Sequence, residues 1–147
     1  MPETGLKGFD RTVQETNAWL HEISMAMNHP SKQLAYHALR GVLFALRDRL
    51  PVDEAFDFAA QLPMLMRGFF FEGYQAADKP EKYHHDEFLQ RVRDEVQLAG
   101  GINPERATRA VLQVLSHHMD LGEVNHIRQA LPADLRKLWP ELTELEI

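Results

Sequence analysis

The sequence contains no cysteine, only three serines and no apolar run that approaches the length of a membrane span. Without cysteine, disulfides, thiolate metal sites and a cysteine nucleophile are excluded. Ser24, Ser31 and Ser116 lie outside any G-x-S-x-G motif, and the sequence has neither a glycine-rich phosphate loop nor a dinucleotide-binding motif. We therefore expect no cofactor and favour a non-enzymatic protein, although sequence alone leaves the question of activity open.

Basic residues are also scarce relative to acidic ones. The chain has 16 lysines and arginines against 22 aspartates and glutamates, a net charge of −6, and no basic stripe. Binding to nucleic acid or to an anionic membrane surface is therefore disfavoured. The first residues, MPETGLKGFD, lack the apolar core of a signal peptide, so we expect a cytoplasmic protein.

The apolar residues that are present predict an all-α fold. They follow a spacing of three and four, and no segment alternates with period two long enough for a strand. We expect seven or eight helices in one domain, residues 1–147. The predicted boundaries are a first helix at about 10–27, a second from Ser31 as its cap to Pro51, a third capped by Asp53, a fourth from Pro63 to Gly73, a fifth from Asp86 to Gly100 and a sixth beginning at Asn103-Pro104.

Two stretches of the chain repeat each other at an offset of 69 positions. Residues 38–70 and 107–139 match without a gap and are identical at nine of 33 positions. Such a self-match indicates a duplicated supersecondary unit. We expect repeat 1 at about 9–73, a polar linker at 74–84 and repeat 2 at about 85–140, facing each other about a pseudo-twofold axis. Residues common to both repeats should serve the architecture, so function is expected where the repeats differ.

Three sequence strings resemble a known family. They are FDRTVQETNAWL, AYHALRGVLFALRDRLP and EAFDFAAQLPMLMRGFFFEGY, with LRDRLP and AAQLPxLxRG the most specific parts. Over about residues 8–140 the chain resembles a bacterial family of uncharacterised proteins, domain of unknown function 2267 (DUF2267). The resemblance implies an all-helical fold with an internally repeated core, and it implies no activity, substrate or catalytic residue. Tyr74 stands where the family pattern has tryptophan.

Several charged positions recur in both repeats. Each set is either a site for an anionic ligand or, as we favour, a structural ion pair or helix cap, because symmetric retention points to architecture. The sets are Arg40, Glu54 and Arg67 in repeat 1 and Arg109, Glu123 and Arg136 in repeat 2. The triplet Arg47-Asp48-Arg49 has no charged counterpart and is predicted to be a solvated face with one intrahelical pair.

Histidines cluster at 84–85 and at 117–126. The second cluster suggests His117, His118 and His126 as metal ligands, since imidazole suits Zn²⁺ and similar ions. Adjacent histidines on a helix point about 100° apart, however, so His117 and His118 do not easily share one ion. A structural or surface role is the preferred interpretation, with no metal site.

The segment LPMLMRGFFF at 62–71 is apolar on nearly every helical face and has no apolar equivalent in repeat 2. It predicts either a central helix packed by both repeats or an interface for a partner or a second copy. The interface candidates are Met64, Phe70, Phe71 and Tyr74. We therefore expect a cytoplasmic module for protein–protein interaction or self-association, with a small-molecule or metal-responsive sensor as the alternative.

Overall fold

The computed structural model describes residues 4–140, and this part of the chain is all-helical, as predicted. The eight α-helices are α1 (Lys7–Met27), α2 (Lys32–Arg49), α3 (Val52–Ala59), α4 (Met64–Phe70), α5 (His85–Val96), α6 (Pro104–His118), α7 (Leu121–Gln129) and α8 (Ala133–Arg136). A short 3-10 turn, Gln97–Ala99, follows α5. Within residues 4–140 none of the helices has both the length and the apolar character needed to span a membrane.

Two of the predicted helix caps are confirmed and one is wrong. The Ser31 hydroxyl accepts a hydrogen bond from the Leu34 N–H, and the Asn103 side chain accepts one from the Arg106 N–H. Asp53 is not a cap, because α3 already begins at Val52 after Pro51 and Asp53 lies in its first turn. There a carboxylate is favoured by the helix dipole without a specific hydrogen bond.

The most extensive helix contact joins α2 to α5, and a glycine makes it close. A Cβ atom at Gly41 would lie 3.0 Å from the Glu95 Cβ and 3.2 Å from the Val92 Cα. Around this pair, α6 packs on both helices, α1 covers α2 and α6, and α4 rests on α1 and α2. The largest fully buried side chains belong to Trp139, Phe58, Phe70, Ile23 and Met27.

Residues 71–84, which include the predicted polar linker at 74–84, fold back on α2. Arg47 and Arg49 are each only 8% exposed, so the predicted solvated face is wrong. The Arg47 Nη1 donates to the carbonyl oxygens of Phe70 at 2.7 Å and Glu72 at 2.6 Å. The Arg49 Nε donates to the Tyr83 carbonyl at 2.7 Å. The two guanidinium groups thus satisfy the carbonyl of the last residue of α4 and two carbonyls of residues 71–84, a segment that has no helix of its own.

Asp48 and Tyr83 complete this anchorage. The Asp48 carboxylate lies within 4.0 Å of the side-chain nitrogens of Lys79 and Arg91, and its backbone carbonyl accepts from the Glu81 N–H at 2.8 Å. The buried Tyr83 hydroxyl donates to the Ala45 carbonyl. Burial raises the pKa of this phenol far above its usual value, so it remains a donor at any physiological pH.

Equivalent positions of the two repeats make related contacts. Arg67 donates to the Leu62 carbonyl at 3.1 Å, and Arg136 donates to the Leu131 carbonyl at 3.0 Å, 69 positions further on. Ser116, the equivalent of Arg47, accepts from the Trp139 indole N–H. The arginines therefore cap the turns before α4 and α8. The pseudo-twofold arrangement of whole repeats stays a prediction.

Candidate functional site

A continuous apolar surface lies where the first half of α1 meets α4. Its residues, here called the apolar groove, are Phe9 (50% exposed), Val13 (41%), Met64 (50%), Leu65 (43%) and the half-buried Phe69. They line a cavity of about 480 Å³ together with Thr4, Thr12, Gly68 and Glu72. An exposed cluster of large apolar side chains around a concavity is typical of a binding surface.

A single hydrogen bond between helices fixes the width of the groove. The backbone N–H of Leu65, in the first turn of α4, donates to the Thr12 hydroxyl of α1 at 2.8 Å. This N–H has no partner inside α4, so the buried Thr12 satisfies it. Met66 and Phe70, on the opposite side of α4, are fully buried and leave Met64 and Leu65 facing outward.

A second cavity continues the groove along α1. It measures about 450 Å³ and is lined by Glu15, Ala18, Trp19, Gln61, Leu62, Pro63 and His118. The His118 ring stacks on Trp19, with centroids 4.1 Å apart and 15° between the planes, and its Nε2 lies 2.9 Å from the Glu22 carboxylate. The two cavities therefore border successive parts of α1, residues 9–13 and 15–19, and have no lining residue in common.

The predicted interface residues differ in their exposure and do not form one surface. Met64 lines the apolar groove, whereas Phe70 is fully buried and does not belong to any exposed surface. Phe71 and Tyr74 are half-buried, and the Phe71 ring contacts those of Phe70, Tyr74 and the exposed Phe56 at centroid distances of 4.9–5.5 Å. These aromatics mainly pack the back of α4.

Sequence reasoning missed Phe9 and Val13 as surface residues. Both continue the three-four spacing of the first helix, a pattern that favours a buried position. The buried face of α1 is instead Thr12, Thr16, Trp19, Leu20, Ile23 and Met27. Thr12 and Thr16 also extend the row of Leu20, Ile23 and Met27 backwards in steps of three and four, so the spacing alone does not separate the two faces.

The arginines at the repeated charged positions bind residues outside their own sets. Arg40 lies 3.3 Å from Glu72 and 3.4 Å from Glu95, Arg67 and Arg136 donate to carbonyls, and Arg109 pairs with Glu105. No ion pair within residues 4–140 joins members of the same set. The two arginines and the glutamate of a set therefore do not form an anion site, because the arginines bind residues outside the set.

Glu54 and Glu123 lie instead at the contact of α3 with α7. Each has one buried carboxylate oxygen without a hydrogen-bond partner among the described residues. Burial, together with the negative charges of Asp57, Glu54 and Asp120 and against the opposing influence of His126, raises the pKa of Glu123. Ionised Glu123 is therefore destabilised by its surroundings.

The candidate histidine ligands are not brought together. His117 and His126 are exposed, His118 is held by Glu22 and Trp19, and no group of three or more histidine, aspartate or glutamate side chains within residues 4–140 is arranged to hold a metal ion.

At the other histidine cluster, the His84 side chain and the His85 N–H form hydrogen bonds with the Asp134 carboxylate. These bonds outweigh partial burial and hold the pKa of Asp134 below its usual value.

A closely paired histidine and carboxylate occur at the α2–α5 contact. The His37 Nδ1 lies 2.6 Å from the Glu95 Oε2, which also lies 3.4 Å from the Arg40 Nε. A carboxylate that orients an imidazole is a common part of catalytic sites. Neither residue lines the cavities along α1, however, and the pair lies beside Gly41, where it ties α5 to α2.

The fold is that of a helical protein with an exposed apolar concavity between α1 and α4. A family model described as "Uncharacterized conserved protein (DUF2267)" matches residues 16–138, and the chain belongs to this family. The family match confirms the resemblance seen in the sequence strings. No curated protein matches the chain.

Proposed function

We propose that the protein is a cytoplasmic, non-enzymatic interaction module that binds an apolar protein segment in the apolar groove. The observation that carries the proposal is the row of four large apolar side chains, each 41–50% exposed, around a concavity. Hydrophobic side chains exposed singly need no explanation, but a contiguous group around a cavity does. The surface uses the segment that has no apolar equivalent in repeat 2.

The groove by itself provides a modest binding energy. Full burial of a large apolar side chain contributes roughly 1.5–3 kcal/mol, and a half-exposed one regains about half of that. Four such residues therefore contribute on the order of 3–6 kcal/mol, which the loss of translational and rotational freedom largely offsets. A specific partner must also contact the second cavity or the rim, and both are adjacent.

A matched pair of substitutions tests this function. Leu65→Asp places a charge in the groove, and Leu98→Asp places one on another exposed leucine, which is 70% exposed in the 3-10 turn. We expect Leu65→Asp to abolish self-association in sedimentation velocity or capture of the protein's partner, while Leu98→Asp leaves them intact. Far-ultraviolet circular dichroism checks that both variants stay folded. Association that is equally strong in both variants would disprove the proposal.

A small-molecule sensor is the second candidate, and a further cavity favours it. This cavity, of about 620 Å³, lies between the C-terminal half of α1 and the start of α2 and combines Leu20, Met25 and Pro30 with polar groups such as His21, His29 and Lys32. Native mass spectrometry of untagged protein from its own host tests it. A reproducible extra mass would support the sensor, and a bare mass would exclude a tightly bound ligand.

A further inference from the structure

We infer that the segment bound in the apolar groove belongs to a partner protein and is cationic and amphipathic, with lysine or arginine beside its apolar face. The inference rests on the proposed function and adds the chemistry of the partner. It follows from the charges that line the groove and its neighbouring cavity, and from their positions along α1.

Among residues 4–140, the acidic side chains that line the two cavities are Glu72 at the apolar groove and Glu15 at the second cavity, and no lysine or arginine of this part of the chain lines either one. The side chains of Glu15 and Glu72 are 50% and 64% exposed, so both carboxylates face solvent at the rim. Charged residues at an interface rim select partners and speed their association by complementary charge.

The existing partners of these glutamates leave them able to bind a further cation. Arg11 lies 4.0 Å from Glu15, and its own side chain is 81% exposed. Arg40 lies 3.3 Å from Glu72 but is shared with Glu95 and with the Tyr36 hydroxyl. The Arg11–Glu15 pair is exposed on both sides, and exposed ion pairs are weak and are rearranged at little cost. Arg40 is only 20% exposed, but Glu72 shares it with two other groups.

The length of α1 that borders the two cavities suits a short helical segment. From α1, Phe9, Thr12 and Val13 line the apolar groove and Glu15, Ala18 and Trp19 line the second cavity. These positions span ten helical steps of about 1.5 Å, roughly 15 Å, which a segment of about ten helical residues covers. Apolar side chains of such a segment would enter the apolar groove, and its basic side chains would pair with Glu72 and Glu15.

The same charges argue against a second copy of this chain as the occupant. Each copy carries a net charge of −6 and would bring its own Glu15 and Glu72 to the shared rim. Like charges placed against one another disfavour association and act as selection against the wrong partner. A basic partner segment has the opposite effect, since it relieves the repulsion among the acidic groups of this protein.

Two synthetic peptides test the inference in fluorescence anisotropy. Both have the same leucine face, and the polar face is lysine in one and glutamate in the other. We expect the lysine peptide to bind the wild-type protein at least about tenfold more tightly than the glutamate peptide, with an affinity that falls as salt is raised. The double substitution Glu15→Gln with Glu72→Gln should weaken the lysine peptide by roughly three- to tenfold.

A control variant with the same change in net charge distinguishes binding at the groove carboxylates from general attraction of the lysine peptide to an acidic protein. Asp53→Asn with Asp94→Asn removes two exposed carboxylates that line neither cavity. This control should bind the lysine peptide as the wild type does, and Leu65→Asp should not bind it. Equal loss in both double variants would mean that only net charge matters, and this would overturn the inference.

The remaining outcomes distinguish this inference from the proposed function. Equal binding of both peptides, lost in Leu65→Asp, would overturn the cationic partner and leave the interaction module standing. A wild-type dimer that Leu65→Asp dissociates, with no peptide bound, would identify a second copy as the occupant and again overturn the inference alone. Absence of peptide binding and of any Leu65-dependent association would overturn both.

Discussion

Replacing Arg47 with methionine removes the guanidinium that anchors residues 71–84 and keeps most of the side-chain volume. The Arg47 Nη1 serves the carbonyls of Phe70 and Glu72, and the guanidinium also lies over the Phe44 ring at 4.3 Å. With the side chain only 8% exposed, these carbonyls lose a partner that water replaces poorly. The segment between α4 and α5 is therefore expected to loosen first.

The magnitude follows from the hydrogen bonds. A hydrogen bond to a charged group contributes about 1.5–3 kcal/mol, and a cation–π contact about 0.5–2 kcal/mol depending on its exposure. Because one nitrogen serves both carbonyls, we expect a total loss of about 3 kcal/mol in the free energy of unfolding. For a chain of this size, that corresponds to a fall in Tm of roughly 6–12 °C.

Urea unfolding and scanning calorimetry measure this loss, with Arg93→Met as the matched control. Arg93 is an exposed arginine of α5, and its substitution should change the free energy of unfolding by no more than about 0.5 kcal/mol. Arg47→Lys, which keeps the charge but not the shape of the donor, should fall between wild type and Arg47→Met. A loss below about 1 kcal/mol for Arg47→Met would refute the anchoring role.

Two further substitutions probe the core and the α3–α7 contact. Gly41→Ala should cost about 1–3 kcal/mol of stability in urea unfolding, because its Cβ meets the α5 backbone. The control Gly8→Ala has open space around it and should stabilise α1 by about 0.5–1 kcal/mol. Equal effects of the two substitutions would contradict the close approach of α2 and α5. The raised pKa of Glu123 gives the folded protein a stabilisation that is full below the unfolded pKa and lost as pH rises through the folded value. The stability of Glu123→Gln relative to wild type should therefore increase between about pH 4 and pH 7, and a pH-independent difference in urea midpoints would refute the raised pKa.

The helices were predictable where local chemistry decides them. Ser31 and Asn103 act as caps because each is followed by a helix whose first N–H groups need an acceptor within three residues. The prediction that Asp53 caps α3 was wrong because the helix begins after Pro51, so Asp53 lies in its first turn. In sequence, an aspartate in the first turn cannot be distinguished from an aspartate at the cap. Local rules find helices better than they find the residue that starts them.

The groove and the α2 anchorage were not predictable, because both depend on contacts between distant segments. Arg47 and Arg49 have the pattern of a solvated helix face until residues 71–84 fold over them. Likewise, α4 is apolar on nearly all sides, and its contacts with α1 and α2, among them the hydrogen bond to Thr12, hold Leu65 outward and Phe70 inward. A helix with no clear polar face carries too little information to set its own rotation.

The most direct test of the account is site-specific photo-crosslinking in the host cell. A photoreactive amino acid replaces Val13 or Leu65 in the apolar groove and, as a control, Leu98 outside it. We expect one discrete crosslinked product that forms from both groove positions and is absent from the control, and its mass identifies a protein partner. No product at Val13 and Leu65 beyond that at Leu98 would contradict the proposal that this groove is where the protein binds.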